Sequence, residues 1–249
     1  MRLLRSLLLD FNENRTSPPG ASILTNHILT QLSNRERAVL LAEAEYAILP
    51  AGHTLARAGD AVSAAYFPER GVIACISEMT TGHQVGVACV GAEGMIGLSR
   101  VVGVPRHPYR VVALLESEGH HLPADTIQRA FDEFAGFRAR VLADVGRRLV
   151  DVSSLVACSR VHSHRQRLAR WILTISDKTR DRSISVTHEV LAQLVGGPRA
   201  AVTVALKKFG ARGAITHVRG NVQIVSRALL TAEACECYLQ PRDLTGSGG

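Results

Sequence analysis

Aromatic side chains make up only 4% of this 249-residue chain, so there are few platforms on which bases or flat ligands could stack. No apolar run reaches the roughly 20 residues that a membrane span needs, and no membrane partner is expected. The opening stretch MRLLRSLLLDFNENR has Arg2, Arg5 and a short leucine run, but Asp10 interrupts it and no small-residue cleavage site follows. It is expected to be an extension, not a leader. Five cysteines, Cys75, Cys89, Cys158, Cys235 and Cys237, form no paired framework, so a reduced, cytoplasmic protein is the simplest expectation. There is no phosphate loop, no G-x-S-x-G and no H-E-x-x-H, and no enzyme is expected. Carboxylates are scarce in one region. From Arg160 to Arg227 there are 3 Asp/Glu against 13 Lys/Arg, whereas the rest of the chain has 19 against 16. That imbalance points to a polyanionic partner for the C-terminal third alone.

Within that third, Thr187 to Phe209 reads as two helices joined by a glycine turn. Val190, Leu191, Leu194 and Val195 share one helical face, with Thr187 as N-cap and Glu189 in the first turn. Gly196 and Gly197 suit a sharp stop, and Pro198 suits a first helical position. In the second helix Val202, Ala205, Leu206 and Phe209 form an apolar stripe. Arg199, Thr203 and Lys207 recur on another face with Lys208 beside them, and no carboxylate joins them. A helix that enters a DNA major groove has this character, although a solvated helical hairpin would share part of it.

The remaining chain supplies a context. Residues 1–22 end in a Thr-Ser-Pro-Pro-Gly breaker cluster. Asn26 to Leu49 reads as a helical pair, with Ser33 and Glu36 as a capping box. Leu49 to Leu122 is punctuated by glycines between short apolar runs, the pattern of an antiparallel barrel or jelly roll. From Phe131 to Ser159, Leu142, Val145, Leu149, Val152 and Val156 form an a/d seam, which suits a parallel dimer better than a helix lying on its own barrel. His164 to Ile175 is an amphipathic helix, and ITHVRGNVQIV at 215–225 reads as a hairpin whose tip carries Arg219 and Asn221. Cys235-x-Cys237 lacks the usual metal-site spacing, so packing or a reversible thiol is favoured and no metal site is expected. His162 and His164, two apart, would diverge on a helix, and adjacent His120 and His121 would face opposite sides of a strand.

Assembled in this order, the chain resembles the Crp–Fnr superfamily of bacterial transcription regulators. The resemblance spans about Asn26 to Tyr238 and rests on RLARWIL at 167–173, LAQLVG at 191–196 and the RGNVQIV wing. ACECY at 234–238 looks like one branch of that superfamily, and the closing TGSGG looks like a flexible end. The resemblance implies an α+β protein with a cyclic-nucleotide-binding-type β-roll (23–130), a dimerisation helix (131–160), a winged helix-turn-helix (161–228) and a tail (229–249). It implies a homodimer on a palindromic double-stranded operator, with RNA polymerase as a further candidate partner. Arg199 falls at the family's base-reading arginine, while Ala200 and Val204 replace its other reading side chains. Thr187 and Thr203 look like phosphate contacts, Lys207 and Lys208 like electrostatic ones, and Arg219 and Asn221 like wing contacts. The family's ligand turn corresponds to Gly94, Met95 and Gly97, with Arg110 or Arg106 as the candidate cation. Met95 replaces the glutamate that holds a ribose hydroxyl, so cyclic AMP is disfavoured as effector. No cysteine precedes Cys75, which disfavours the family's Fe–S cluster. No cofactor is evident. The competing reading is a ligand- or protein-binding regulatory module whose winged helix mediates protein contact.

Overall fold

The computed structural model describes residues 24–218 and 220–239. The extension expected over 1–22, the wing-tip Arg219 and the TGSGG end lie outside them. Two short helices open the described chain, α1 (His27–Thr30) and α2 (Asn34–Ala42). Asn26 caps the first by accepting from the Ile28 and Leu29 amides, and Ser33 and Glu36 form the expected capping box on the second. The helical reading fails after residue 42. Glu45–Leu49 is a strand, β1, whose partner Ser117–Pro123 lies far along the chain, out of reach of any local pattern.

The glycine-punctuated region forms two antiparallel sheets, as expected. With β2 (Thr54–Ala56), β3 (Ala64–Arg70), β4 (Ile73–Glu78), β5 (Gln84–Val90), β6 (Arg110–Ala113) and β7 (Ser117–Pro123), the orders are β1-β7-β3 and β2-β6-β4-β5. Leu49, Tyr66, Ile73, Cys75, Val90, Ile96, Val111 and Ala113 pack in one core within the roll. Side chains alternate along a strand, so Ala74 and Ile76 of β4 and Val112 of β6 leave by the opposite face. They join a second core with Leu168, Trp171, Leu191, Leu194 and Leu206 from the C-terminal helices. The larger sheet is therefore covered on both faces.

Helix α3 (Ala124–Glu133) is separated by the extended Phe134 from α4 (Ala135–Val161), which has 27 residues and is roughly 40 Å long. Its inner face holds the roll through Asp144, only 2% exposed. The Asp144 carboxylate accepts from the Met95 amide at 3.3 Å and from Arg148 Nη2 at 3.0 Å, and also from Arg147. Arg147 further donates to the Glu93 carbonyl at 2.7 Å, and Arg148 to the Met95 carbonyl.

The C-terminal unit follows as α5 (His164–Thr179), β8 (Ser183–Ile184), α6 (His188–Val195), α7 (Arg199–Ala211), β9 (Ile215–Val218), β10 (Asn221–Ile224) and α8 (Arg227–Glu233). A 3-10 turn at Glu236–Tyr238 closes it. Its sheet has the order β8-β10-β9. This unit docks on the roll: a Cβ at Gly86 of β5 would lie 2.9 Å from Leu194 Cδ2, and one at Gly196 would lie 2.8 Å from Val85 Cγ2. No helix among the described residues is long and apolar enough to cross a membrane.

An ion pair between Glu93 and Lys178 of α5 reinforces the docking. Burial alone would raise the Glu93 pKa, but the Lys178 ammonium and the Gly91 amide at 3.0 Å hold it down at about 2. A lowered folded-state pKa stabilises above the unfolded value, near 4.5, and the contribution disappears as pH falls towards about 2. Denaturant unfolding of wild type and Glu93→Gln should therefore differ most above that window, and the difference should close within it. A gap that stays constant with pH would exclude this role for Glu93.

Candidate nucleic-acid interface

The geometry of α6 and α7 follows from local chemistry. Thr187 caps α6, its hydroxyl accepting from the Val190 amide at 3.2 Å. Gly196 ends the helix at φ +67°, a left-handed conformation that favours glycine. Pro198 is the N-cap of α7 and not its first helical residue: its ψ is 141°, and the helix begins at Arg199. The expected stripe of Val202, Ala205, Leu206 and Phe209 is buried. Opposite it, Arg199, Ala200, Val204, Lys207 and Lys208 are exposed. Arg199, Lys207 and Lys208 make no ion pair among the described residues. Much of the other basic charge is spent internally. Arg165 and Arg212 neutralise the buried Glu233, Arg227 pairs with Asp177, and Lys178 pairs with Glu93.

Two expected contacts are already engaged. Thr203 Oγ1 donates to the Arg199 carbonyl at 3.1 Å and lies 3.0 Å from His188 Nδ1. Thr203 is thus held on its helix, next to a histidine that the sequence reading does not single out. Burial first, then the neighbouring His217 and Arg199, push the His188 imidazole below its ordinary pKa. A lone histidine at a helix start gives no periodic signal, and its partner lies 15 residues away. Asn221 does not reach outward from the wing. Its amide donates to Ser183 Oγ at 3.0 Å and Ser185 Oγ at 3.3 Å, tying β10 to the unforeseen strand β8. The hairpin alternation holds, with Val222 and Ile224 buried.

The seam residues of α4 face away from the chain's own core. Leu142 is 49% exposed, Leu149 65%, Val152 42% and Val156 61%, while Val145 is half-buried. The expected ligand residues, by contrast, do not gather around a cavity. Met95 is fully buried beside Ile28, Phe137 and Val141. A Cβ at Gly94 would lie 3.0 Å from the Asp144 carboxylate, and one at Gly97 would lie 2.6 Å from the Ala64 carbonyl. Arg110 pairs with Glu78 at 2.7 Å on the strand surface. Asp144 and Arg148 occupy the polar groups of this turn. The sequence pattern favours packing or a reversible thiol at Cys235 and Cys237, and the fold adds two neighbours to them. Cys158, His162, Cys235 and Cys237 bring their ligand atoms within 4.8 Å of one another. His162 is turned towards Cys158, one helical turn earlier, and not towards His164.

The fold and its exposed cationic helix define a winged-helix DNA-binding protein. Residues 166–233 match the sequence model of the Crp-like helix-turn-helix domain. No curated protein matches the chain by sequence. Similar solved structures include FixK2 from Bradyrhizobium japonicum, at 12% identity and TM-score 0.67, covering 77% of this chain and 98% of that one. The c-di-GMP-responsive global regulator CLP of Xanthomonas campestris is similar at 16% identity and TM-score 0.65, covering 78% and 100%. A CRP-family transcriptional regulator from Thermus thermophilus follows at 22% and 0.64, covering 76% and 98%. At these identities the structures establish the fold, and the domain match establishes the kind of helix-turn-helix. Residues 166–233 thus belong to the Crp-like helix-turn-helix domain family, and the whole chain shares the fold of these regulators. Its C-terminal unit is a Crp-like helix-turn-helix, which makes it a DNA-binding regulator.

Proposed function

We propose that the chain works as a homodimer and reads a palindromic operator with α7 in the major groove. The observation that carries this reading is the exposed face of α7. Arg199, Lys207 and Lys208 are exposed there and make no ion pair among the described residues, while Arg165 and Arg212 of the same unit are paired with Glu233. Arg199 would donate to a guanine edge, and the exposed methyls of Val204 suit a thymine methyl. Lys207 and Lys208 would supply phosphate attraction, as would Arg219 at the wing tip, and the Thr187 hydroxyl retains a proton to donate. Asn221 and Thr203 act through the positions of β8 and Arg199. The exposed apolar stripe on α4 supports a dimer, and a surface of the roll would meet RNA polymerase.

The roll itself serves as a protein-contact or effector platform that does not use cyclic AMP. The buried Met95 and the Asp144–Arg148 clasp on its turn support that reading. Tight, saturable cyclic AMP binding in a calorimetric titration would overturn it. An iron–sulfur cluster of the family's N-terminal type has no cysteine before Cys75 to hold it.

Selection of bound DNA from a random pool should return rough palindromes with half-site centres about 10–10.5 bp apart. Arg199→Ala should cost about 1–3 kcal/mol on the selected site and relax one position. Lys207→Ala should weaken all DNA similarly and reduce the salt slope by about 1. A pool without shared sequence, or Arg199→Ala with unchanged specificity, would count against the reading. The double variant Leu149→Glu/Val156→Glu should sediment as a monomer, because it places charge on the stripe. A dimer that survives both substitutions would move the interface elsewhere.

A further inference from the structure

We propose that Cys158, His162, Cys235 and Cys237 form a structural zinc site that fastens the C-terminal tail to the end of the long helix. Cys158 and His162 are four residues apart near the end of α4 and so share one face. Cys235 and Cys237 flank Glu236 in the tail that follows α8, and the 3-10 turn brings both sulfurs back to that face. Cys158 Sγ lies 3.4 Å from Cys235 Sγ, and Cys237 Sγ lies 3.6 Å from His162 Nδ1. A tetrahedral site with Zn–S of about 2.3 Å and Zn–N of about 2.0–2.1 Å has S···S edges of about 3.8 Å and S···N edges of about 3.6 Å. The observed spacing is already close to those edges, and all five cysteines are free thiols.

The surroundings are those of a metal-binding histidine and thiolate set. The second histidine nitrogen, Nε2, lies 3.1 Å from the Glu236 carboxylate, the partner that fixes the tautomer and leaves Nδ1 for an ion. Three thiolates and one imidazole around Zn²⁺ carry a net negative charge. Arg170 of α5 acts electrostatically on Cys158, Cys235 and Cys237, and its buried Nη1 has no hydrogen-bond partner among the described residues. Soft sulfur ligands with one imidazole select zinc over hard cations. Four protein ligands close the coordination shell, which makes the site structural and not catalytic. The ligand atoms all lie within 4.8 Å of one another, a spacing that suits one ion and is too tight for a multi-iron cluster. On binding, each thiol gives its proton to solvent.

The site lies where α4 ends and α5 begins, because His162 is the C-cap of the long helix. The ion would fix the tail, and through it α8, to the segment that joins the dimer stripe to the DNA-binding unit. The ACECY run at 234–238 thereby acquires a physical reason: Cys235 and Cys237 are ligands, Glu236 orients His162, and Tyr238 anchors the turn by donating to Asp177 at 2.8 Å.

The full chain, prepared with reductant and Zn²⁺ and then gel-filtered, should hold about one zinc per protein by elemental analysis. Reconstitution with Co²⁺ alone should give the intense visible bands of a tetrahedral thiolate site. Cys235→Ser and Cys237→Ser should lose stoichiometric zinc, while Cys75→Ser and Cys89→Ser keep it. Glu236→Gln, on an exposed side chain, should weaken zinc binding by roughly tenfold or more while the protein stays folded. Substoichiometric zinc in the wild type, weak octahedral Co²⁺ bands, or a Cys158–Cys235 disulfide in the zinc-treated protein would each overturn the proposal. The zinc and Co²⁺ readouts require only the unaltered chain, so a ligand variant that fails to fold leaves the test intact.

Discussion

The arrangement depends on one sheet being buried from both sides. Successive residues of β4 point alternately into the roll and into the winged-helix unit: Ile73 and Cys75 go one way, Ala74 and Ile76 the other. Strand β6 repeats the division with Val111 and Val112. A strand covered on both faces cannot shift by one residue without exchanging its two sets of contacts. The roll and the DNA-binding unit are therefore not independent bodies joined by a linker. They share a hydrophobic wall, and the Glu93–Lys178 pair adds a partly screened polar contact across it.

Legibility in the sequence follows the range of the interactions. The capping box at Ser33, the Thr187 cap, the Gly196 stop and the buried Val222 and Ile224 all depend on neighbours within a few residues. Each is readable and each is present. Strand β1 escapes a local reading because its hydrogen bonds go to residues about 70 positions away. Strand β8 has two residues, too few for any periodicity to register. The Cys158–Cys235 contact spans 77 positions, and only the fold reveals that a helical i, i+4 pair faces a Cys-x-Cys pair. Asn221 shows a further limit. Alternation correctly places it on the polar face of its strand, but does not reveal that Ser183 and Ser185 occupy its amide.

Charge counting locates the DNA-binding region but overstates what is available there. The excess of cations between Arg160 and Arg227 includes side chains that neutralise buried or half-buried carboxylates inside the unit. Glu233, with two arginines, and Asp177, with Arg227 and Tyr238, are examples. Removing one of those cations would leave a carboxylate less well neutralised and cost stability before it cost DNA affinity. The cations on α7 are different. They are exposed and make no ion pair among the described residues, so they remain available to a polyanion, where release of condensed counterions sets the salt dependence.

The long helix joins these features, and its geometry constrains how any signal could reach the DNA face. Asp144 and Arg148 grip the turn at Met95 near its middle, the exposed leucines and valines run along the outside, and Cys158 and His162 lie at its C-terminal end. From Asp144 to Cys158 is 14 residues, about four helical turns or 21 Å of rigid hydrogen-bonded backbone. The turn at Met95 is closed by Asp144 and Arg148, and a ligand that displaced them there would leave buried charges without partners. The tail contacts the helix–helix junction directly, with Cys235 against Cys158 and Cys237 against His162. The two ends of that segment are thus held differently: buried charge clasps the turn at Met95, and sulfur and imidazole pack the tail against the start of the DNA-binding unit.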